Sequence, residues 1–231
     1  QAGFLPEILP QPAGWEIAAF LKPAREVAGD FYDVFRLGEG KVGLVIADVC
    51  DKGLGAALFM TLVRSLLRAV ANLDAYSNLR DRVRHTSERR LLEAVQLTNN
   101  YLEENHGMTG MFATVFFAIL DTHSGVLKYI NCGHLPPCLV HNDNSVTILP
   151  RTGPALGAIR GTLHEVKEAV LAPGEVLFMY TDGVTDLEDA REQLGKEGPT
   201  LGDRACGQSP LDAANPVPGP PIEPAKTCEP L

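Results

Sequence analysis

The sequence predicts an α+β domain of mainly antiparallel strands, stacked as two sheets with a helix pair over one outer face. Three observations carry this. Short β-branched or aromatic runs, divided by Gly, Pro, Asn and Asp, recur along most of the chain. Two long stretches with helical spacing arrive together between blocks of strands, which does not suit a doubly wound α/β fold. Roughly eight or nine short strands then fall within one domain, which favours stacking over a single open sheet.

The elements follow in order. "FLPEILPQPAGW" is an irregular, proline-rich lead-in, and "WEIAAFLKP" has strand-like content. "FYDVFRL" and "KVGLVIADV" are β-rich runs separated by "GEG", a tight hairpin signal. "GEGKV" does not make a phosphate loop, because Val42 stands where Ser or Thr is required. Leu54, Leu58, Leu62, Leu66, Ala69 and Leu73 then recur at helical spacing, with Arg64 and Arg68 on another face. After "NLDAYSN" comes a basic stretch, "RDRVRHTSERR", read as a solvated loop and helix start or, more sharply, as a docking surface for an acidic partner. "ERRLLEAVQLTNNYLEEN" predicts a second amphipathic helix with Leu91, Leu92, Val95, Tyr101 and Leu102 on its apolar side. "MFATVFFAILD", "GVLKYINCG", "PPCLVHN", "SVTILP", "HEVKEAVL" and "EVLFMYTDG" are further strands, with turns at "DTHSG" and "NDN".

From Gly195 onward the chain carries eight of its 17 prolines and almost no apolar period, so a disordered or loosely attached tail is expected at 195–231. The expected division is a linker end at 1–14, one domain at 15–194 and this tail. Net charge is −9, which argues against a broad nucleic-acid-binding face. No apolar run approaches the ~20 residues of a membrane span, so no membrane partner is expected. The five cysteines are odd in number and include no Cys-x-x-Cys pair. Reduced thiols in a cytoplasmic protein fit that pattern better than disulfides or zinc.

Three acids stand at the edges of apolar runs beside a glycine or a turn: Asp30 after Gly29, Asp48 ending "GLVIAD", and Asp182 before Gly183. Such an acid is held rigidly but close to solvent. Several of them converging would repel one another unless a cation sat among them. Oxygen-only donors select hard ions, Mg²⁺ or Mn²⁺. Asp33 cannot reach the same place from a regular strand, because residues three apart point to opposite faces. Taken singly, each strand-end Asp reads first as a turn residue or cap.

Six segments in order resemble a known family: "PAREVAGDFYDVF", "ADVCDKGLGAALFM", "GMFATVFFAILD", "YINCGHLPP", "GPALG" and "LAPGEVLFMYTDGVTD". They resemble the SpoIIE/RsbU-like bacterial branch of the PP2C-type, metal-dependent serine/threonine phosphatases. The resemblance implies a four-layer αββα sandwich with a site for two Mn²⁺ or Mg²⁺ ions at one edge of the sheets. It implies that Asp30, Asp48 and Asp182 are the metal-binding and catalytic acids, with Asp48 bridging both ions and Val49 lending its backbone carbonyl. The implied reaction is hydrolysis of phosphoserine or phosphothreonine by a metal-activated water, with no phosphoenzyme and no cysteine nucleophile. The implied substrate is a phosphorylated STAS-domain anti-sigma-factor antagonist. The lead-in resembles the end of a linker, so an upstream sensor domain missing from this chain is expected.

His134, in "NCGHLPP", is the tempting general acid, although the segment resembles a turn in which the ring is structural. One departure stands out. The family's closing strand, with its Asp-Asp-x-Thr segment and a further metal-binding acid, has no counterpart here. Asp203 and Asp212 lie in Pro/Gly-rich surroundings, and Asp186 belongs to the turn after Asp182. The competing reading is therefore a weakened or inactive module that binds the same partner without turnover.

Overall fold

A computed structural model of the chain describes Gly3 and residues 5–22, 28–73 and 86–185, all within the first of two compact units, Gln1–Leu187. The basic stretch at 80–85, the Pro/Gly-rich tail, Asp186, Asp203 and Asp212 lie outside the described residues.

In chain order the elements are β1 (Phe31–Gly38), β2 (Lys41–Val49), α1 (Leu54–Ala71), α2 (Ser87–His106), β3 (Ala113–Asp121), β4 (Val126–Cys132), β5 (Cys138–Val140), β6 (Val146–Ile148), β7 (Lys167–Val170), β8 (Val176–Phe178) and a single turn, α3 (Asp182–Thr185). One antiparallel sheet runs β1-β2-β3-β4-β7 and a second runs β6-β5-β8. The "GEG" hairpin forms as expected. Glu39 and Gly40 both take positive φ (51° and 71°), the twist that a two-residue hairpin turn demands.

Strand β3 shows why the first sheet sits in the middle of the domain. Val115, Phe117 and Ile119 pack with Phe59, Met60, Val63, Leu67, Leu91 and Val95 of the helices. The alternate residues Phe116, Ala118 and Leu120 pack with Tyr129, Leu139, Leu149 and Leu171 in a second core between the sheets. A strand buried on both faces reads as an unbroken apolar run, which is what "ATVFFAILD" is. Each fully buried Leu or Phe contributes about 2 kcal/mol by leaving water. The layers are thus helix pair, first sheet and second sheet. Ile148, Val176 and Phe178 remain 40–51% exposed on the second sheet, and no helix among the described residues covers them.

Two expectations are corrected. The leucine stripe chosen for α1 is not its buried side. Leu54, Leu58 and Leu73 are 71%, 64% and 49% exposed, while Ala56, Ala57, Phe59, Met60, Val63, Leu67 and Ala71 face the core. Four residues advance about 400° around a helix, so a strict i+4 row drifts about 40° per step and winds off the core face. By length and composition α1, with a mean hydropathy of 1.6, is also apolar enough to cross a membrane. Here its core face lies on the first sheet instead.

The second correction concerns "WEIAAFLKP", which is not a strand within the described residues 15–22. Ile17 finds its backbone partners in a side chain instead. Gln11 Nε2 donates to Ile17 O at 2.7 Å, and Ile17 N donates to Gln11 Oε1 at 3.0 Å. Trp15 Nε1 donates to Thr122 O at 2.9 Å, and Leu9, Trp15 and Ile17 fill the edge of the core between the sheets.

Candidate metal centre

Strand β1 carries Asp33 on the face turned to α1, between the buried Phe31 and Phe35. Its carboxylate is fully buried and takes Arg64 Nη2 at 3.1 Å and Arg68 Nη1 at 2.9 Å. The Arg68 guanidinium also lies 5.1 Å from the centre of the Phe35 ring. The arginine pair that shares a helix face thus neutralises Asp33 and fastens α1 to β1.

Asp30 stands three residues earlier, before the strand begins. Gly29 lets that turn close onto the end of β2. A Cβ at Gly29 would stand 2.7 Å from Val49 O and 3.4 Å from Asp48 Oδ1. Asp48 pairs with Thr114 in the β2–β3 ladder, and Asp182 opens α3. One carboxylate oxygen from each of Asp30, Asp48 and Asp182 lies within 4.8 Å of the others. Thr181 holds Asp30 by donating from Oγ1 to Oδ2 at 2.7 Å.

The electrostatics follow from this crowding. Asp48 is pushed up from the usual carboxylate range to about 7, chiefly by burial. A hydrogen bond with Asp30 and the charges of Asp30 and Asp182 add to it, and Lys52 partly offsets it. Neither Asp30 nor Asp48 forms an ion pair among the described residues. Three carboxylate oxygen donors, with no nitrogen or sulfur donor in the group, suit a hard divalent cation, so the residues present fit Mg²⁺ or Mn²⁺. The carbonyl of Val49 stands beside Gly29, at the same edge.

His134 ties the two halves of this site together. It is 1% exposed. Nε2 lies 3.1 Å from Tyr180 O, which can only accept, so Nε2 carries the proton. Nδ1 then accepts from Thr114 Oγ1 at 2.9 Å. Burial lowers the ring's pKa to about 4, so it is neutral at pH 7 and joins β3, beside Asp48, to the segment leading into Asp182. This arrangement supports the structural reading of His134. The sequence reading missed Thr114, Thr181 and Tyr180. Thr181 alone had a signal, its place directly before Asp182 in "YTDG".

A cleft of about 190 Å³ opens beside the acids, lined by Asp48, Thr114, Gly133, His134, Leu135, Arg151 and Asp182. No cysteine among the described residues lines it. Burial pushes the Cys132 thiol far up, and Cys50 Sγ accepts from Phe112 N at 3.0 Å.

The sequence profile of the family described as Stage II sporulation protein E (SpoIIE) matches residues 38–212. The chain belongs to this family. Its PP2C-type phosphatase character and its SpoIIE/RsbU-like branch agree with the individual relatives. The chain is 41% identical over 210 residues to Protein IcfG of Synechocystis sp. (strain ATCC 27184 / PCC 6803 / Kazusa), covering 85% of this chain and 33% of that protein. It is 27% identical over 179 residues to the phosphoserine phosphatase RsbU of Bacillus subtilis (strain 168), covering 77% of this chain and 49% of RsbU. The chain therefore spans a third to a half of the length of these relatives. Among solved structures, that of the RsbU and RsbW domains of Rv1364c from Mycobacterium tuberculosis superposes with a TM-score of 0.57 at 29% identity, covering 71% of this chain and 42% of that one. The likeness fits the two antiparallel sheets and helix pair described above.

Proposed function

We propose that this SpoIIE-family chain is a Mg²⁺- or Mn²⁺-dependent protein serine/threonine phosphatase acting in the cytoplasm. Its proposed substrate is a phosphorylated STAS-type anti-sigma-factor antagonist, and an upstream sensor domain outside this chain sets its activity. The observation that carries the reading is the convergence of Asp30, Asp48 and Asp182, with donor oxygens within 4.8 Å. The similarity to RsbU, a phosphoserine phosphatase, supports the substrate chemistry.

In this reading Asp30, Asp48 and Asp182, with the Val49 carbonyl, would hold two divalent cations. When bound, the ions supply charge neutralisation at phosphorus and a water of lowered pKa. The chain's own residues prepare the place. Thr181 fixes the Asp30 carboxylate at 2.7 Å, and His134 fixes the Asp182 segment against β3. Because His134 is neutral with both nitrogens engaged, it serves this scaffold and not proton transfer.

The alternative, a partner-binding module without turnover, draws on the small acid set: three carboxylates among the described residues. One experiment separates the two. Hydrolysis of an aryl phosphate and of a phosphoserine peptide is measured with Mn²⁺ for wild type and Asp48→Asn. The phosphatase reading expects a wild-type rate on the order of a hundredfold or more above the mutant, abolished by EDTA and insensitive to thiol reagents. Equal rates would leave only the binding module.

A further inference from the structure

The wall of the cleft beside the acids carries a cation. Arg151 lines it together with Asp48, Thr114, His134 and Asp182. The next residue, Thr152, is fastened to the end of β4: Thr152 N donates to Asn131 O at 2.9 Å, and Asn131 N donates to Thr152 Oγ1 at 2.9 Å. Cys132 and Gly153 form the next bridge. The Arg151 side chain is fastened too, because Nε donates to His134 O at 3.1 Å. That bond uses one N–H of five and orients the guanidinium plane. The terminal nitrogens have no partner among the described residues.

A guanidinium that shares a cleft with carboxylates ordinarily closes on one of them as a bidentate pair. Arg151 forms no ion pair with Asp48 or Asp182 among the described residues. Its Nε anchor on His134 O keeps the guanidinium at the cleft that Asp48 and Asp182 also line. Lys52 lies close enough to act on Asp48 but does not line the cleft. The occupant suited to this cleft is an anion that would meet both the cations the acids would hold and the guanidinium fork. A tetrahedral phosphoryl group, with several non-bridging oxygens, has that valence, and planar forked donors match its edges.

We propose that Arg151 is the phosphoryl-gripping residue of this cleft, binding the non-bridging oxygens of a phosphate monoester in the space that it lines together with Asp48 and Asp182. The substrate class rests on the phosphatase reading, whereas orthophosphate alone is sufficient to probe the residue. Wild type, Arg151→Ala and Arg151→Lys are compared in Mn²⁺. Orthophosphate binding is measured by calorimetry, KM and kcat with p-nitrophenyl phosphate, and Mn²⁺ affinity and melting temperature without phosphate. Arg151→Ala is expected to weaken orthophosphate about tenfold or more and to raise KM by a similar factor. Its Mn²⁺ affinity and melting temperature stay at wild-type values, and Arg151→Lys falls between, keeping the charge but losing the fork.

Equal orthophosphate affinity in wild type and Arg151→Ala overturns the proposal. So does a parallel fall in Mn²⁺ affinity or melting temperature, which would make Arg151 only a prop for the His134 segment. A wild type that binds no orthophosphate in Mn²⁺ overturns it as well. A wild type that binds orthophosphate through Arg151 yet hydrolyses no ester sinks the phosphatase reading and leaves this one standing.

Discussion

Asp30 and Asp33 lie three residues apart, and the chain treats them in opposite ways. Asp33 is buried and neutralised from within, by Arg64 at 3.1 Å and Arg68 at 2.9 Å. Asp30 stands among two other carboxylates, hydrogen-bonded by Thr181 and sharing a hydrogen bond with Asp48. The first arrangement is finished when the protein folds. The second is a local excess of negative charge that makes the metal-free fold work against itself. Where a protein leaves like charges facing one another at a rigid edge, the missing counter-charge is the place to look for a ligand.

Breaking the finished side has the largest expected effect. Asp33→Asn takes the carboxylate away from the mostly buried Arg64 and the half-exposed Arg68, and Arg64 Nε is already buried without a hydrogen-bond partner. Unpaired buried charge costs about 3–5 kcal/mol. Denaturant unfolding should show that loss, while Mn²⁺ affinity of the folded fraction changes only a few-fold by calorimetry. A drop in Mn²⁺ affinity as large as that of Asp48→Asn would erase the distinction between the two acids.

The next effect tests the tie between the regions. The pKa of His134 is lowered to about 4 in the folded chain against 6.5 unfolded. The unfolded state therefore binds a proton that the folded state refuses, and stability is lost as pH falls from 6.5 through 4. The loss by pH 5 is about 2 kcal/mol. His134→Asn should be less stable at pH 7 but lose less on acidification over this window, as thermal melts at several pH values would show. An unchanged acid slope would place the acid sensitivity elsewhere.

The smallest effect has the opposite sign. The pKa of Asp48 is raised to about 7, so its contribution favours the fold at low pH and is lost as pH rises through 7. Screened at this half-buried position, the penalty at pH 8 is about 1 kcal/mol. Asp48→Asn should therefore melt higher than wild type at pH 8 without metal and lower than wild type with saturating Mn²⁺. A variant that melts lower in both conditions would mean that the cluster is not strained.

Much of the fold was legible because it rests on local rules. The hairpin at "GEG", the two helices and most of the strands follow from turn residues and period, and β3 announced its burial on both faces. The failures share a cause, the need for a partner that the sequence does not name. Leu54 and Leu58 look like a core stripe until Phe59, Met60 and Val63 take the sheet. "WEIAAFLKP" has strand residues but no neighbouring ladder, so Gln11 supplies its bonds. For the site, the types and edge positions of Asp30, Asp48 and Asp182 were readable, but their meeting depends on three distant segments, and only the family resemblance brought them together. Arg151 had no signal, because an arginine after a loop proline is ordinary until its Nε is seen on His134 O.

Gly29 sets the gauge of the site. With hydrogen as its side chain, the turn bearing Asp30 rests against the Val49 carbonyl, where even a methyl carbon would be held at 2.7 Å. The opening between Asp30 and Asp48 is thereby fixed by backbone contact and not by flexible side chains. A single added carbon at this position would press on the Val49 carbonyl and on Asp48, so the spacing of the two acids is set by a residue without a side chain.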